Sequence, residues 1–217
     1  MTRERILERI VNCGVIAVVR LSSSSQLERV ADAIREGGVD VIEFTMTTPG
    51  ALRMIEETAN RLGDAVLLGA GTVLDCETAR ACIMAGAQFV VSPILDFPSI
   101  EVCHRYDKVA IPGTFTPTEL LRAWEAGADL VKVFPASCLG PRFIRDVLAP
   151  LPQVRLVPTG GVSRENAGEY IRAGAVAVAV GSELVNNRLV QQGNFAQLTE
   201  NARALVEAVR SARAAGV

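Results

Sequence analysis

EAGADLVKVFP, residues 125–135, decides how the rest of the chain is read. A charged helical pattern ends at Glu125, Gly127 follows its last turn, and an apolar, β-branched run opens at Leu130. Glycine just past a helix end takes left-handed backbone at little steric cost, so the stretch reads as a helix-to-strand junction. EGGVD, MAGAQ and RAGAV repeat it around Gly38, Gly86 and Gly174. With Gly127 included, the central glycines stand 48, 41 and 47 residues apart, about two strand–helix units each time. The repeat reports architecture and carries no chemistry.

Working outward, eight strand candidates alternate with helical patterns. They are VIAVVR (15–20), VIEFTM (41–46), VLLGAGTV (66–73), QFVVSP (88–93), KVAIPG (108–113), LVKVFP (130–135), VRLVPTGG (154–161) and AVAVAVGS (175–182). Their starts recur every 20 to 26 residues. Each is an almost continuous apolar run, as expected of parallel strands covered on both faces. The helices between them are punctuated by capping residues before and glycine after, as in SSSSQLERVADAIREGG, TPTELLRAWEAG and SRENAGEYIRAG. Eight such units without a linker predict an α/β fold, a single (β/α)8 TIM barrel spanning residues 1–217. The amphipathic start, MTRERILERIVNCG, is expected to form an extra N-terminal helix capping the barrel floor. The last helix, roughly 195–215, is expected to close the outer ring.

Composition removes several function classes. Net charge is −2, and arginines alternate with acids along helices, so no basic footprint for nucleic acid exists. No apolar run suggests a membrane span, and the charged start lacks the apolar core of a secretory signal. The five cysteines (Cys13, Cys76, Cys82, Cys103 and Cys138) form no CxxC pair and read as reduced, mostly packed thiols. These features predict a cytoplasmic protein. His104 is the only histidine, which rules out two-histidine metal sites within one chain, and no metal is expected. It sits in a probable helix, as a surface or helix-end residue.

Barrel enzymes work where strands end. Those ends carry Arg20, Glu43 with Thr45 and Thr47, Thr72, Ser92-Pro93, Pro112-Gly113, Lys132 with Phe134, Thr159-Gly160-Gly161 and Gly181-Ser182. The strand bodies are almost free of polar residues. Lys132 is the sharpest signal: only it and Lys108 are lysines in a chain that otherwise uses arginine. A buried lysine either pairs with a carboxylate or loses its proton, and the neutral amine can form a Schiff base with a ketone. Arginine does neither of the latter. Glu43 alternates onto the same strand face as Thr45, from which it can act as general acid/base or simply pair with Lys132. PTGG and VGS, ending adjacent strands, read as phosphate-binding backbone or as tight turns. GAGTVL (69–74) lacks the third glycine of a dinucleotide fingerprint, so that reading fails and no cofactor is expected. Arg20 offers a bidentate grip for a carboxylate or phosphate, or is merely solvated.

VIEFTMTTP, LLGAGTV, VVSP, IPGTFTPTE, VKVFPAS, PTGGV and VAVGSELV together resemble the 2-keto-3-deoxy-6-phosphogluconate (KDPG) / 4-hydroxy-2-oxoglutarate aldolase family, in order and over nearly the whole chain. The resemblance implies a trimeric, metal-independent, Schiff-base lyase that splits a phosphorylated keto sugar acid into pyruvate and glyceraldehyde 3-phosphate. It implies Lys132 as the Schiff-base residue, Glu43 as proton shuttle, Thr72 at the pyruvate carboxylate, and Pro93 and Phe134 along the pocket. Gly160, Gly161, Gly181 and Ser182 would hold the phosphate. The expected partners are the keto acid and pyruvate, a homotrimer, and neither nucleic acid nor membrane. Two positions depart from the family pattern. Thr47 stands where many members carry a carboxylate-binding arginine, which would leave that charge to Arg20; Ile94 replaces a smaller or more polar residue and is expected to narrow the pocket or change its acceptor. Other readings remain: the galactonate-derived epimer or 4-hydroxy-2-oxoglutarate as substrate, a phosphate-binding isomerase or decarboxylase, or a non-catalytic binding barrel.

Overall fold

The computed structural model describes residues 1–21 and 26–215. The serines expected to begin the first barrel helix, Ser22 to Ser25, lie outside the described residues. Among the described residues nine strands appear in chain order: β1 Val15–Val19, β2 Val41–Thr45, β3 Leu67–Gly71, β4 Phe89–Val91, β5 Val109–Ile111, β6 Gly113–Thr114, β7 Val131–Val133, β8 Leu156–Pro158 and β9 Val178–Val180. Every predicted strand is present and shorter than its apolar run. The fifth is divided at Pro112, which lacks an N–H for the ladder, into β5 and β6.

All the strand pairs are parallel, ordered β5-β4-β3-β2-β1-β9 and β6-β7-β8. Two sets of hydrogen bonds join these arcs. Leu130 N donates to Ala110 O at 3.4 Å and Lys132 N to Pro112 O at 2.9 Å, carrying β5 across to β7. A parallel bridge between Thr159 and Ala179 joins β8 to β9, so the sheet closes into a barrel.

Strand alternation sorts the side chains into two cores. Ile16, Val18, Val41, Leu67, Phe89, Val91, Val109, Ile111, Leu130, Val157, Ala177 and Ala179 fill the barrel interior. Their neighbours, including Ala17, Ile42, Phe44, Leu68, Val90, Val131, Val133 and Val178, pack outward under the helices. Helix α1 (Arg3–Cys13) sends fully buried Ile6 and Ile10 into the interior cluster, plugging the barrel floor as its sequence predicted. Thr2 caps it, and Gly14 at φ +72° turns the chain out of it into β1.

On the outside follow, among the described residues, α2 Leu27–Glu36, α3 Ala51–Leu62, α4 Cys76–Met84, α5 Phe97–Arg105, α6 Pro117–Glu125, α7 Gly140–Leu148 and α8 Ala167–Arg172. The eighth unit carries a short α9 (Asn187–Gln191) and a long α10 (Phe195–Ala214). Helix α10 packs on α2 and α8, sealing the ring between the first and seventh units. Helix α6 starts with a full capping box, Thr116 against Glu119, with Pro117 at the first turn. The SRENAGEY helix differs from its expected start. It begins at Ala167, and Asn166 spends its amide on Ser163 N and Gly161 O at 2.8 and 2.9 Å. The repeat glycines Gly38, Gly86, Gly127 and Gly174 all have positive φ, the backbone their junction position requires.

Of the cysteines, Cys82 and Cys103 are buried, Cys13 and Cys76 half-buried and Cys138 exposed, all as free thiols. Burial pushes the Cys82 and Cys103 thiols up to about 12, which keeps them protonated and inert. His104 occupies the last turn of α5, 3.7 Å from Asp129, which precedes β7 at the barrel floor. No helix among the described residues is long and apolar enough to cross a membrane.

Candidate active site

The alternation that fills the barrel also aims its chemistry. Along β2, Val41 faces inward, so Glu43 and Thr45 do too; along β7, Leu130 faces inward and so does Lys132. The same parity places Gly71 at the end of β3 and Gly113 in β6, and just beyond their strands Arg20, Thr159 and Gly181, on the inward series at the C-terminal mouth.

Glu43 and Lys132 are buried, at 1% and 5% exposure. They form no direct ion pair among the described residues, so the structural pairing weighed from sequence is not made. Each nevertheless feels the other. Burial raises the Glu43 carboxyl above its ordinary range, partly offset by the positive fields of Lys132 and Arg20. Burial lowers the Lys132 ammonium below its ordinary value of 10.5; Glu43 opposes that shift and Arg20 adds to it. Desolvation penalises the charged form of both groups. The site therefore shifts Lys132 toward its neutral amine relative to a solvated lysine. Glu43 Oε2 is buried without a hydrogen-bond partner, an acceptor ready for a proton or a water.

Phe134 links this pair to the glycine-rich rim. Lys132 Nζ lies 4.9 Å from the Phe134 ring centroid. The ring also sits against Gly160, where a Cβ would come within 3.3 Å of it. A cavity of about 210 Å³ opens there, lined by Arg20, Phe134, Gly160, Gly161, Gly181 and Ser182 among others. Gly160 and Gly161 have φ +88° and +77°, conformations that side chains rarely adopt. The Asn166 amide fixes the carbonyl of Gly161. Arg20 Nη1 lies where a Cβ on Gly181 would stand 3.9 Å away, so the guanidinium borders both the cavity and the buried pair.

The remaining sequence candidates sit around the rim, outside that cavity. Thr72, just past β3, is β-branched yet holds φ +58°, a strained conformation of the kind that clusters at functional sites. Thr47 is exposed and donates to Thr45 Oγ1 at 3.2 Å, so its hydroxyl is turned back onto the rim. Pro93 is half-buried, with its backbone pressed on Gly113. Ile94 is 49% exposed and does not line the glycine cavity.

Sequence reasoning missed Thr48, a buried hydroxyl 3.4 Å from that of Thr45, and Glu183, which also lines the cavity. It also missed the inward glycine Gly71. Following the inward parity along VLLGAGTV, from Leu67 through Gly69, would have found Gly71; nothing local marks Thr48 or Glu183. Among the described residues no cluster of three or more His, Cys, Asp or Glu side chains could hold a metal ion.

Residues 6–201 match the family model described as KDPG and KHG aldolase. A 2-dehydro-3-deoxy-phosphogluconate aldolase from Treponema pallidum is 38% identical over 89% of this chain and 92% of its own length. A 2-dehydro-3-deoxy-6-phosphogalactonate aldolase from Escherichia coli is 32% identical over 91% of this chain and 95% of its own. Among solved structures, the KDPG aldolase of Legionella pneumophila, with pyruvate captured as a covalent carbinolamine, superposes with a TM-score of 0.86. It is 28% identical, covering 94% of this chain and 98% of that one.

Proposed function

The chain belongs to the KDPG and KHG aldolase family, and from that premise we propose that it is a metal-independent, Schiff-base aldolase whose reaction is carried by Lys132 and Glu43. The preferred substrate in this reading is 2-keto-3-deoxy-6-phosphogluconate, split into pyruvate and glyceraldehyde 3-phosphate. The observation that carries it is a buried lysine biased toward its neutral amine, facing a buried glutamate with an unpartnered oxygen.

The neutral Lys132 amine attacks the C2 ketone, and the carbinolamine loses water to give a protonated imine. Glu43, as carboxylate and through a bound water, removes the proton from the C4 hydroxyl. The C3–C4 bond breaks, its electron pair passing into the iminium to leave an enamine, and the aldehyde departs. Glu43 returns the proton to C3, and hydrolysis of the resulting imine releases pyruvate and restores the amine.

Arg20 and Thr72 are assigned to the substrate carboxylate, and Gly160, Gly161, Gly181 and Ser182 to the phosphate. Thr45, Thr47, Pro93 and Phe134 complete the walls. The cavity's backbone N–H groups and the nearby guanidinium suit a dianion. A homotrimer and a cytoplasmic setting complete the proposal, resting on the family resemblance and the cysteine pattern.

The test is borohydride reduction in the presence of pyruvate, followed by peptide mapping. A stable adduct on Lys132 is expected. Its absence from a folded protein sinks the Schiff-base mechanism.

A further inference from the structure

We propose that Gly71 is a positioning residue for the proton-transfer step, because the side chain it lacks is the space that the Glu43 carboxylate occupies. This rests on the reading of Glu43 as proton carrier. Strand pairing sets Glu43 opposite Gly69 and Thr45 opposite Gly71, so Gly71 is the diagonal neighbour of Glu43 one layer nearer the mouth. A Cβ at Gly71 would overlap Glu43 Oε1 and the carboxyl carbon, and would come within 2.6 Å of Cγ. The three nearest heavy atoms all belong to Glu43. Its side chain therefore leans along the strand direction, over Gly71 and toward the mouth.

Backbone conformation does not demand this glycine. Gly71 lies within a strand, whereas the glycines of the Gly160-Gly161 turn have positive φ. A strand glycine lowers stability and commonly marks a close approach. Gly69 is used for packing, since the Phe89 ring fills its place; Gly113 admits the Pro93 backbone. At Gly71 the void is filled by the end of a buried glutamate whose Oε2 has no hydrogen-bond partner. Shape therefore does the holding that a hydrogen bond to that oxygen would otherwise do. An added methyl must push the carboxylate out of its place; Lys132, on the far strand β7, keeps its packing and feels only the change in the field of Glu43.

The test is Gly71→Ala, read by two assays with pyruvate. Borohydride adduct formation on Lys132 reports the amine, and deuterium exchange into the pyruvate methyl reports the proton carrier. Adduct formation is expected to stay within a few-fold of wild type, whereas exchange falls by about 10²–10⁴-fold, the range for general acid/base catalysis. An exchange rate within about two-fold of wild type in the folded variant overturns the proposal. A stability cycle covers the case in which Gly71→Ala folds poorly. The double variant Gly71→Ala/Glu43→Ala should melt within about 2 °C of Glu43→Ala alone, because the clash has been removed. A double variant as unstable as Gly71→Ala overturns the space argument. Failure of the wild type to form an adduct would instead sink the aldolase reading, and the melting cycle would still decide the role of Gly71.

Discussion

Glu43 and Lys132 face each other across the barrel interior, from β2 and β7, both buried and not in direct ion-pair contact. A contact pair would fix the proton on the lysine and neutralise the site. Separation leaves each group with its desolvation penalty and an electrostatic tie to the other, the arrangement that keeps an amine nucleophilic and a carboxylate basic.

Lys132→Arg retains positive charge but cannot form an imine. The adduct with pyruvate should vanish and turnover should fall to background. Glu43→Gln should keep the adduct, with kcat lower by about 10²–10⁴-fold. Substantial aldol cleavage by Lys132→Arg would show that position 132 acts through charge alone, as a phosphate-binding isomerase or decarboxylase would use it.

The same two shifts set a pH-dependent stability difference. The Glu43 carboxyl is raised above its ordinary 4.5, so its stabilising contribution is present in acid and is lost as pH rises through the higher folded value. The Lys132 ammonium is lowered from 10.5, so its contribution is present in alkali and lost as pH falls through the folded value. Between those extremes each contribution is smaller than at its own end of the range. Replacing both, as Glu43→Gln/Lys132→Met, avoids leaving one buried charge alone and should stabilise the barrel by about 0.5–2 kcal/mol at pH 7. The gain should shrink toward pH 4 and toward pH 11. Denaturant titrations across pH check it; a gain independent of pH would contradict the buried-charge account.

The parity of the strands made most of this site legible in the sequence. Val41-Ile42-Glu43-Phe44-Thr45 announces an inward Glu43 once Ile42 and Phe44 are recognised as helix-facing, and Leu130 with Lys132 does the same on β7. Arginine elsewhere made Lys132 conspicuous. Strand ends were less legible: the run VRLVPTGG spans 154–161, whereas β8 covers only Leu156–Pro158. Side-chain reach was not legible at all. That Thr47 turns onto Thr45, that Ile94 points largely to solvent, and that Asn166 braces Gly161 depend on tertiary placement that neither period nor composition encodes.

Arg20 borders both the buried pair and the glycine cavity, and Thr47 offers no charge to replace it. Removing a charged hydrogen-bond donor to a bound anion costs about 1.5–3 kcal/mol, or roughly 10–150-fold in affinity. Arg20→Ala should therefore raise the pyruvate concentration needed for half-maximal borohydride trapping by that factor. If trapping with pyruvate is unchanged and only the phosphorylated substrate loses kcat/KM, the guanidinium serves the phosphate and the carboxylate assignment fails.

Gly161 tests the other end of the substrate. Its φ of +77° disfavours any side chain, and an added Cβ would stand 2.5 Å from Ser137 Cβ. Left-handed backbone costs a residue with a side chain roughly 1–2 kcal/mol, and here the turn must also shift away from the Ala136–Cys138 segment. The buried pair lies on β2 and β7, outside the turn itself. Gly161→Ala should consequently lower kcat/KM for 2-keto-3-deoxy-6-phosphogluconate by about tenfold or more, given that each 1.4 kcal/mol is a factor of ten. Adduct formation with pyruvate and cleavage of unphosphorylated 4-hydroxy-2-oxoglutarate should change less than about threefold, a difference under 1 kcal/mol. Running the gluconate and galactonate epimers side by side in the wild type identifies the preferred stereochemistry. Equal losses for phosphorylated and unphosphorylated substrates would mean that the turn supports the barrel mouth as a whole and holds no phosphate of its own.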